Sequence, residues 1–143
     1  MKLCGIELKA SNTILSVIDF REDDDIIDYI DLKIKKITLE DDENQEDISK
    51  FSSSISSFLK ENEIEKVFIK KRAKKGTFSG GAVTFKMEAL IQLNSICEVE
   101  LISSQSISSF EKKNSIIFPK ALKKYQEQSY LGILATKRIE NVI

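Results

Sequence analysis

The stretch 66–93 constrains the fold most, because a short apolar strand leads through a basic, glycine-containing loop into an amphipathic helix. The strand centres on Val67, Phe68 and Ile69, and the helix begins near Thr84. A helix that connects one strand to the next is typical of a crossover, which makes the two strands parallel. The stretch therefore predicts part of a parallel sheet with a helix packed against it.

The loop inside this stretch predicts a contact with a negatively charged group. It carries cations and then glycines, namely Lys70, Lys71, Arg72, Lys74, Lys75, Gly76, Gly80 and Gly81. Free backbone N–H groups and the helix dipole favour an anion at the start of the helix. A solvated loop in which the glycines only turn the chain is the alternative interpretation, since basic loops are common.

The composition of the chain excludes several kinds of catalytic and metal site, but it does not identify a function. The chain has 143 residues and a formal net charge of −1, so any nucleic-acid contact must come from a local patch such as residues 66–75. It has no histidine, which excludes histidine metal sites, histidine acid–base chemistry and serine or cysteine triads that use histidine. Cys4 and Cys97 lie in apolar, strand-like runs and are expected to be reduced, in the cytoplasm. We expect no signal peptide, and no apolar run is long enough to predict a membrane-spanning helix.

Alternation and helical spacing divide the rest of the chain into elements. Three strand patterns lie close together at the start, and the third changes phase near Lys35 and Lys36, which predicts a bulge or bend. Later apolar residues recur at helical spacing, and Pro119 suits the start of the last helix. The predicted strands are residues 3–8, 13–20, 27–39, 67–71 and 98–102. The predicted helices are residues 85–94, 104–113, 119–137 and a first one whose apolar face runs from residue 48 to residue 59, with cap candidates at residues 41–44.

This order of elements is that of the ribonuclease H-like fold. It predicts an α/β domain spanning residues 1–143, with a five-stranded mixed sheet flanked by helices in the order βββαβαβαα. The opening GIE, which ends at Glu7, is similar to the GID opening of resolvase-type members. The stretches CGIELKA, KGTFSGGAVTFKMEALIQL and LKKYQEQSY resemble a bacterial family, domain of unknown function 3010. That family belongs to the ribonuclease H-like group and has no established activity, so the resemblance implies a fold more than a function.

The resemblance also implies where a catalytic site would lie. Nucleases of this fold hold two Mg²⁺ with carboxylates from the first strand, the fourth strand and the last helix. The corresponding acids here are Glu7 and Glu127, with Asp19 as a further candidate ligand. The fourth-strand position holds Lys70 or Lys71, which cannot bind Mg²⁺. We expect Glu7, Lys71 and Glu127 to meet at one end of the sheet, with the lysine paired to Glu7.

Three functions are compatible with these features. The first is a nucleic-acid-binding module with a degenerate metal site, which contacts phosphates through Lys70, Lys71, Arg72, Lys74, Lys75 and Lys86. The second is a module that binds a protein, a second copy of the chain or a phosphorylated ligand at Gly80 and Gly81 without catalysis. The third is a divergent Mg²⁺-dependent nuclease that uses Glu7 and Glu127. The lysine on the fourth strand favours the first over the third, and salt-dependent binding would separate the first from the second.

Overall fold

The sheet in the computed structural model, which describes residues 1–71 and 81–137, is mixed and has helices on both faces. The strands are β1 (Lys2–Lys9), β2 (Asn12–Arg21), β3 (Ile26–Ile30), β4 (Lys36–Thr38), β5 (Lys66–Lys70) and β6 (Glu98–Ile102). Their order in the sheet is β3-β2-β1-β5-β6, with β4 paired to β2 beside β3. The helices are α1 (Gln45–Glu61), α2 (Gly81–Gln92), α3 (Ser104–Lys113) and α4 (Glu127–Lys137), and a 3₁₀ turn (Lys124–Gln126) precedes α4.

Connection lengths account for the strand directions. The turn of residues 10–11 joins β1 and β2 as an antiparallel hairpin, with Ala10 in the left-handed region at φ 53°. Helices lie between the later strands, so β5 pairs with β1 in parallel and β6 pairs with β5 in parallel. The predicted mixed sheet is therefore confirmed.

The predicted third strand is two strands instead of one. β3 and β4 both pair antiparallel with β2, and residues 31–35 leave the sheet between them. The predicted change of phase near Lys35 marks this break. Leu32 turns inward and is buried, whereas Ile34 is 56% exposed, although the alternation placed both on one face.

The last helix also differs from its prediction. It begins at Glu127 rather than at Pro119, because Lys123 is extended, with ψ 150°, and only a 3₁₀ turn follows it. Tyr125 lies in that turn and is 39% exposed, so it is not on the buried face to which the helical spacing assigned it. Ser129, Gly132 and Ile133 are buried as predicted.

Alternation along β1 and β5 divides the core into two layers. Cys4, Ile6, Val67 and Ile69 face α1 and α2, where residues such as Phe51 and Met87 pack against them. On the other face, strand side chains pack against apolar residues of α4. The strand residues are Leu3, Ile18, Phe20 and Phe68, and the helix residues are Tyr130, Ile133 and Leu134. Burial of both faces requires apolar residues at nearly every position of the central strands, as β1 and β2 have.

Candidate functional site

Glu7 and Lys70 meet where the parallel strands β1 and β5 end. Gly5 pairs with Phe68 and Ile6 with Ile69, so the same register sets Glu7 beside Lys70 on the α4 face. The Lys70 Nζ lies 3.6 Å from the Glu7 Oε2. The two side chains are 23% and 19% exposed, so the ion pair is mostly withdrawn from water but open at one side.

α4 brings a third side chain to this pair. The Lys70 Nζ donates a hydrogen bond of 2.9 Å to the Oε1 of Gln128, in the first turn of α4. The ammonium group of Lys70 thus lies between a carboxylate and an amide oxygen. We call Glu7, Lys70 and Gln128 the lysine cluster.

Gly5 allows α4 to come this close to β1. A Cβ at Gly5 would lie 1.9 Å from the backbone oxygen of Ser129 and 2.9 Å from the Cγ1 of Ile133. Any larger residue would therefore push the helix away from the sheet. The small residues Ser129 and Gly132 in the last helix already predicted a close approach of this helix to the sheet.

Buried hydrogen bonds fix the start of α4 on β2. The Oγ atoms of Ser16 and Ser129 are 2.6 Å apart, and the Ser129 Oγ also donates to the backbone oxygen of Gln126 at 2.8 Å. The Gln126 side chain donates to the Leu15 carbonyl at 2.8 Å and accepts from the Lys123 N–H at 2.9 Å. Polar groups that are buried in this way hold one arrangement, because a break would leave them without partners. Sequence reasoning missed Ser16 and Gln126, and a serine inside an otherwise apolar strand was the available signal.

The expected meeting of Glu7, Lys71 and Glu127 is off by one residue at two positions. Lys71 is exposed, and its backbone N–H donates to the Ile102 carbonyl at 2.7 Å. Glu127 is one residue before Gln128, and one residue turns a helical side chain by about 100°. Lysine does pair with Glu7, but it is Lys70, and the residue from the last helix is an amide instead of an acid.

Asp19 does not join this site. It pairs across the sheet with Lys2, whereas Glu7 pairs with Ile14, so Asp19 lies about 17 Å along the strand direction from Glu7. Its carboxylate is 3.2 Å from the N-terminal ammonium group of Met1. The suggestion that Asp19 lies near Glu7 is therefore wrong.

A metal centre does not fit the donor set of the lysine cluster. An ammonium group occupies the space between the two oxygens, and Mg²⁺ requires several oxygen ligands in near-octahedral geometry. Over residues 1–71 and 81–137, no three His, Cys, Asp or Glu side chains are grouped so that they could hold a metal ion.

The predicted phosphate-binding residues fall into different places. Lys66, the first cation of the basic patch 66–75, lies at the start of β5 and contacts Glu98 and Glu100, and the hydrogen bond that it donates to Glu100 raises the pKa of Lys66. Lys86, on α2, contacts the carboxylate of Asp42 at 3.2 Å. Gly81 begins α2 at φ 68° and is exposed, while Arg72, Lys74, Lys75 and Gly80 lie outside the described residues. Among the predicted cations that the structure describes, Lys66, Lys70 and Lys86 each form an ion pair. Lys71 is exposed and forms no ion pair with a described residue.

None of the helices in the described part of the chain is both long and apolar enough to cross a membrane.

Comparison with known proteins identifies the same fold. A family model described as "Protein of unknown function (DUF3010)" matches residues 1–135. Thermus thermophilus RuvC, solved in complex with a Holliday junction substrate, aligns with a TM-score of 0.65 at 9% identity, over 99% of this chain and 97% of RuvC. The Holliday junction resolvase of fowlpox virus aligns with a TM-score of 0.56 at 15% identity, over 96% of this chain and 99% of the resolvase.

A third structure, the yeast mitochondrial Holliday junction resolvase, aligns with a TM-score of 0.52 at 10% identity, over 78% of this chain and 57% of that one. At these identities the likeness shows the fold alone. The predicted ribonuclease H-like fold is confirmed. No match was found among curated protein sequences.

Proposed function

The chain belongs to the family described as protein of unknown function (DUF3010), and from its resolvase-like fold we propose that it is a nucleic-acid-binding module without metal-dependent cleavage. The proteins of similar fold include RuvC, which was solved with its junction substrate, and two further Holliday junction resolvases. The residues of this chain are compatible with binding nucleic acid, but those at the corresponding site do not form a metal site for cleaving it.

The observation that carries the proposal is the position of the Lys70 ammonium group. In the nucleases that the chain resembles, carboxylates from the first strand, the fourth strand and the last helix hold two Mg²⁺. The elements that correspond here are β1, β5 and α4, and they contribute Glu7, Lys70 and Gln128. A cation that belongs to the protein neutralises Glu7, so the carboxylate has no need of a metal ion.

Positive charge at the same end of the sheet supports binding. Lys71 follows β5 directly and is exposed, and the sequence continues with Arg72, Lys74 and Lys75. Lys70 donates a hydrogen bond to Gln128 and forms an ion pair with Glu7, and an ammonium group has three N–H donors. A phosphate oxygen at the open side of the lysine cluster would accept from one of the donors that Gln128 does not use.

A salt titration tests the proposal. Fluorescence anisotropy would measure the affinity of the purified protein for labelled single-stranded, duplex and four-way-junction DNA at increasing salt. Each phosphate that a lysine neutralises contributes roughly −0.7 to −0.9 to the slope of log affinity against log salt. We expect Lys71→Ala to flatten that slope by about 1 unit, and Lys66→Ala, a matched control on the same strand, to leave it unchanged.

The absence of binding to all three DNAs at low salt would contradict the proposal. It would favour the other module considered above, which binds a protein or a phosphorylated ligand. Equal flattening by Lys66→Ala would show that the measured charge effect is general and does not come from this end of the sheet.

A further inference from the structure

A second basic surface surrounds Tyr125. Residues 112–126 contain five lysines and no acidic residue, in a chain whose net charge is −1. Tyr125 is 39% exposed, and the Nζ of Lys36, from β4, lies 4.3 Å from the centre of its ring. Lys120, Lys123 and Lys124 are exposed in the segment that leads into α4. We call Tyr125 and these four lysines the tyrosine surface.

The lysines of the tyrosine surface are not neutralised by the described part of the protein. Within residues 1–71 and 81–137, none of the four forms an ion pair. Other lysines behave differently, since Lys35 contacts Asp31 and Lys86 contacts Asp42. Like charges that are held together around an exposed ring repel one another, and this repulsion destabilises the folded protein unless a negatively charged partner binds there.

The ring is held in place from below. Gln126, the next residue, is fully buried and its side chain donates to the Leu15 carbonyl in β2, while the Oγ of Ser129 lies 2.6 Å from the Oγ of Ser16 in the same strand. Tyr125 therefore extends from a rigid support and does not hang on a loose loop. A preformed aromatic ring can accept a base with little loss of conformational entropy.

The tyrosine surface and the lysine cluster lie along one row of the sheet. Lys36 pairs with Ile14, Ile14 pairs with Glu7, and Glu7 contacts Lys70. Neighbouring strands are about 4.8 Å apart, so the backbones of Lys36 and Lys70 are separated by about 14 Å.

We propose that the tyrosine surface binds an unpaired strand of nucleic acid, with one base stacked on Tyr125 and the adjacent phosphates on Lys36, Lys123 and Lys124. This rests on the proposed nucleic-acid binding and adds the class of substrate and its path across the sheet. The ring requires an unpaired strand, because the bases of an intact duplex are already stacked on each other. Lys36 covers one side of the Tyr125 ring, and its ammonium group would bind a phosphate next to the stacked base.

A single tryptophan can report on this contact, because the chain contains no tryptophan. The test variant is Tyr125→Trp, and the matched control is Leu93→Trp, since Leu93 is 78% exposed just after α2, toward the start of β6. The probe is single-stranded oligothymidylate of about 12 nucleotides, within the range that single-strand-binding folds cover. We expect quenching in Tyr125→Trp at the midpoint of the anisotropy titration and none in Leu93→Trp.

Affinity gives an independent measurement. Loss of one base stack lowers affinity by about 5- to 150-fold, so Tyr125→Ala should lose that much for the single strand, while Tyr125→Phe keeps the ring and the affinity. Lys123→Ala with Lys124→Ala should flatten the salt slope by about 1.4 units. Duplex of the same length should respond less to Tyr125→Ala than the single strand does.

The outcomes separate this inference from the proposed function. If the wild-type protein binds DNA but Tyr125→Ala keeps its affinity and Tyr125→Trp is not quenched, the tyrosine surface is not the binding site and the inference is wrong. If duplex and single strand lose affinity equally, the surface binds phosphates without stacking, which also overturns it. If no DNA binds to the wild-type protein at low salt, the proposed function fails as well.

Discussion

The pairing of Lys70 with Glu7 predicts a specific pattern of stability changes. Lys70→Met keeps the length of the side chain and removes its charge, which leaves the mostly buried Glu7 carboxylate without a cation. At 3.6 Å and an effective dielectric constant of about 20, the gross attraction is about 4.6 kcal/mol. Desolvation and the open side of the cluster reduce the net effect, so we expect Lys70→Met to lower the free energy of unfolding by about 2 kcal/mol.

A double-mutant cycle would measure the pair itself. Lys70→Met, Glu7→Gln and the double variant would be unfolded with urea and by heat, and the expected coupling energy is about 1 to 2 kcal/mol. A loss of 2 kcal/mol corresponds to a melting temperature about 4 to 8 °C lower for a chain of this size. Lys71→Met is the control, because Lys71 is exposed, and it should change stability by less than about 0.5 kcal/mol. A coupling energy near zero, or an equal loss in Lys71→Met, would refute the assignment of Lys70 as the partner of Glu7.

Two further predictions concern the packing of α4 and the thiols. Gly5→Ala should destabilise the fold by about 3 kcal/mol or more, since its Cβ would overlap the Ser129 backbone, whereas Gly132→Ala, with its nearest atom at 3.8 Å, should stabilise α4 by about 0.5 to 1 kcal/mol. Urea unfolding of both variants measures this, and a tolerated Gly5→Ala would argue against the close contact of α4 with β1. Burial raises the pKa of both thiols, most for Cys4, so a thiol reagent at neutral pH should modify Cys97 slowly in the folded protein and Cys4 only after unfolding. Equal reaction rates for the two in the folded protein would contradict the burial of Cys4.

Strands of the sheet were predictable where apolar residues alternate without interruption. The predicted bounds of β1, β2, β5 and β6 agree with the structure to within about one residue, because their side chains are fixed on both faces of the sheet. Alternation failed beyond Ile30, where Leu32 and Ile34 continue the pattern although the chain has left the sheet. Leu32 is buried although it lies in a loop, and alternation alone does not distinguish a buried loop residue from a buried strand residue.

The last helix shows a second limit of the sequence. Pro119 is compatible with a first helical position, so the spacing of Leu122 and Tyr125 suggested one continuous helix. In the structure Gln126 forms buried bonds with β2, and these hold Lys123 extended and delay the helix to Glu127. Such a contact between residues more than 100 positions apart is not encoded in local propensity.

The candidate site was predictable as a place, but its residues were not all predictable. Glu7 was identified because a charge inside a buried strand needs a partner. The choice between Lys70 and Lys71 depends on the register of β5 against β1, and a shift of one residue turns the side chain to the other face. Glu127 was favoured because it is an acid, whereas the turn of α4 directs Gln128 to the lysine.

Cleavage is the measurement that tests the central claim most directly. Purified protein would be incubated with Mg²⁺ or Mn²⁺ and labelled single-stranded, duplex and four-way-junction DNA, under salt conditions at which anisotropy shows binding. Because Lys70 occupies the place between Glu7 and Gln128, we predict that the DNA is bound and stays intact with both metals. If the wild-type protein cleaves DNA in the presence of metal and Glu7→Gln abolishes this cleavage, that result contradicts the account. Glu7 would then be a metal ligand and not the ion-pair partner of Lys70.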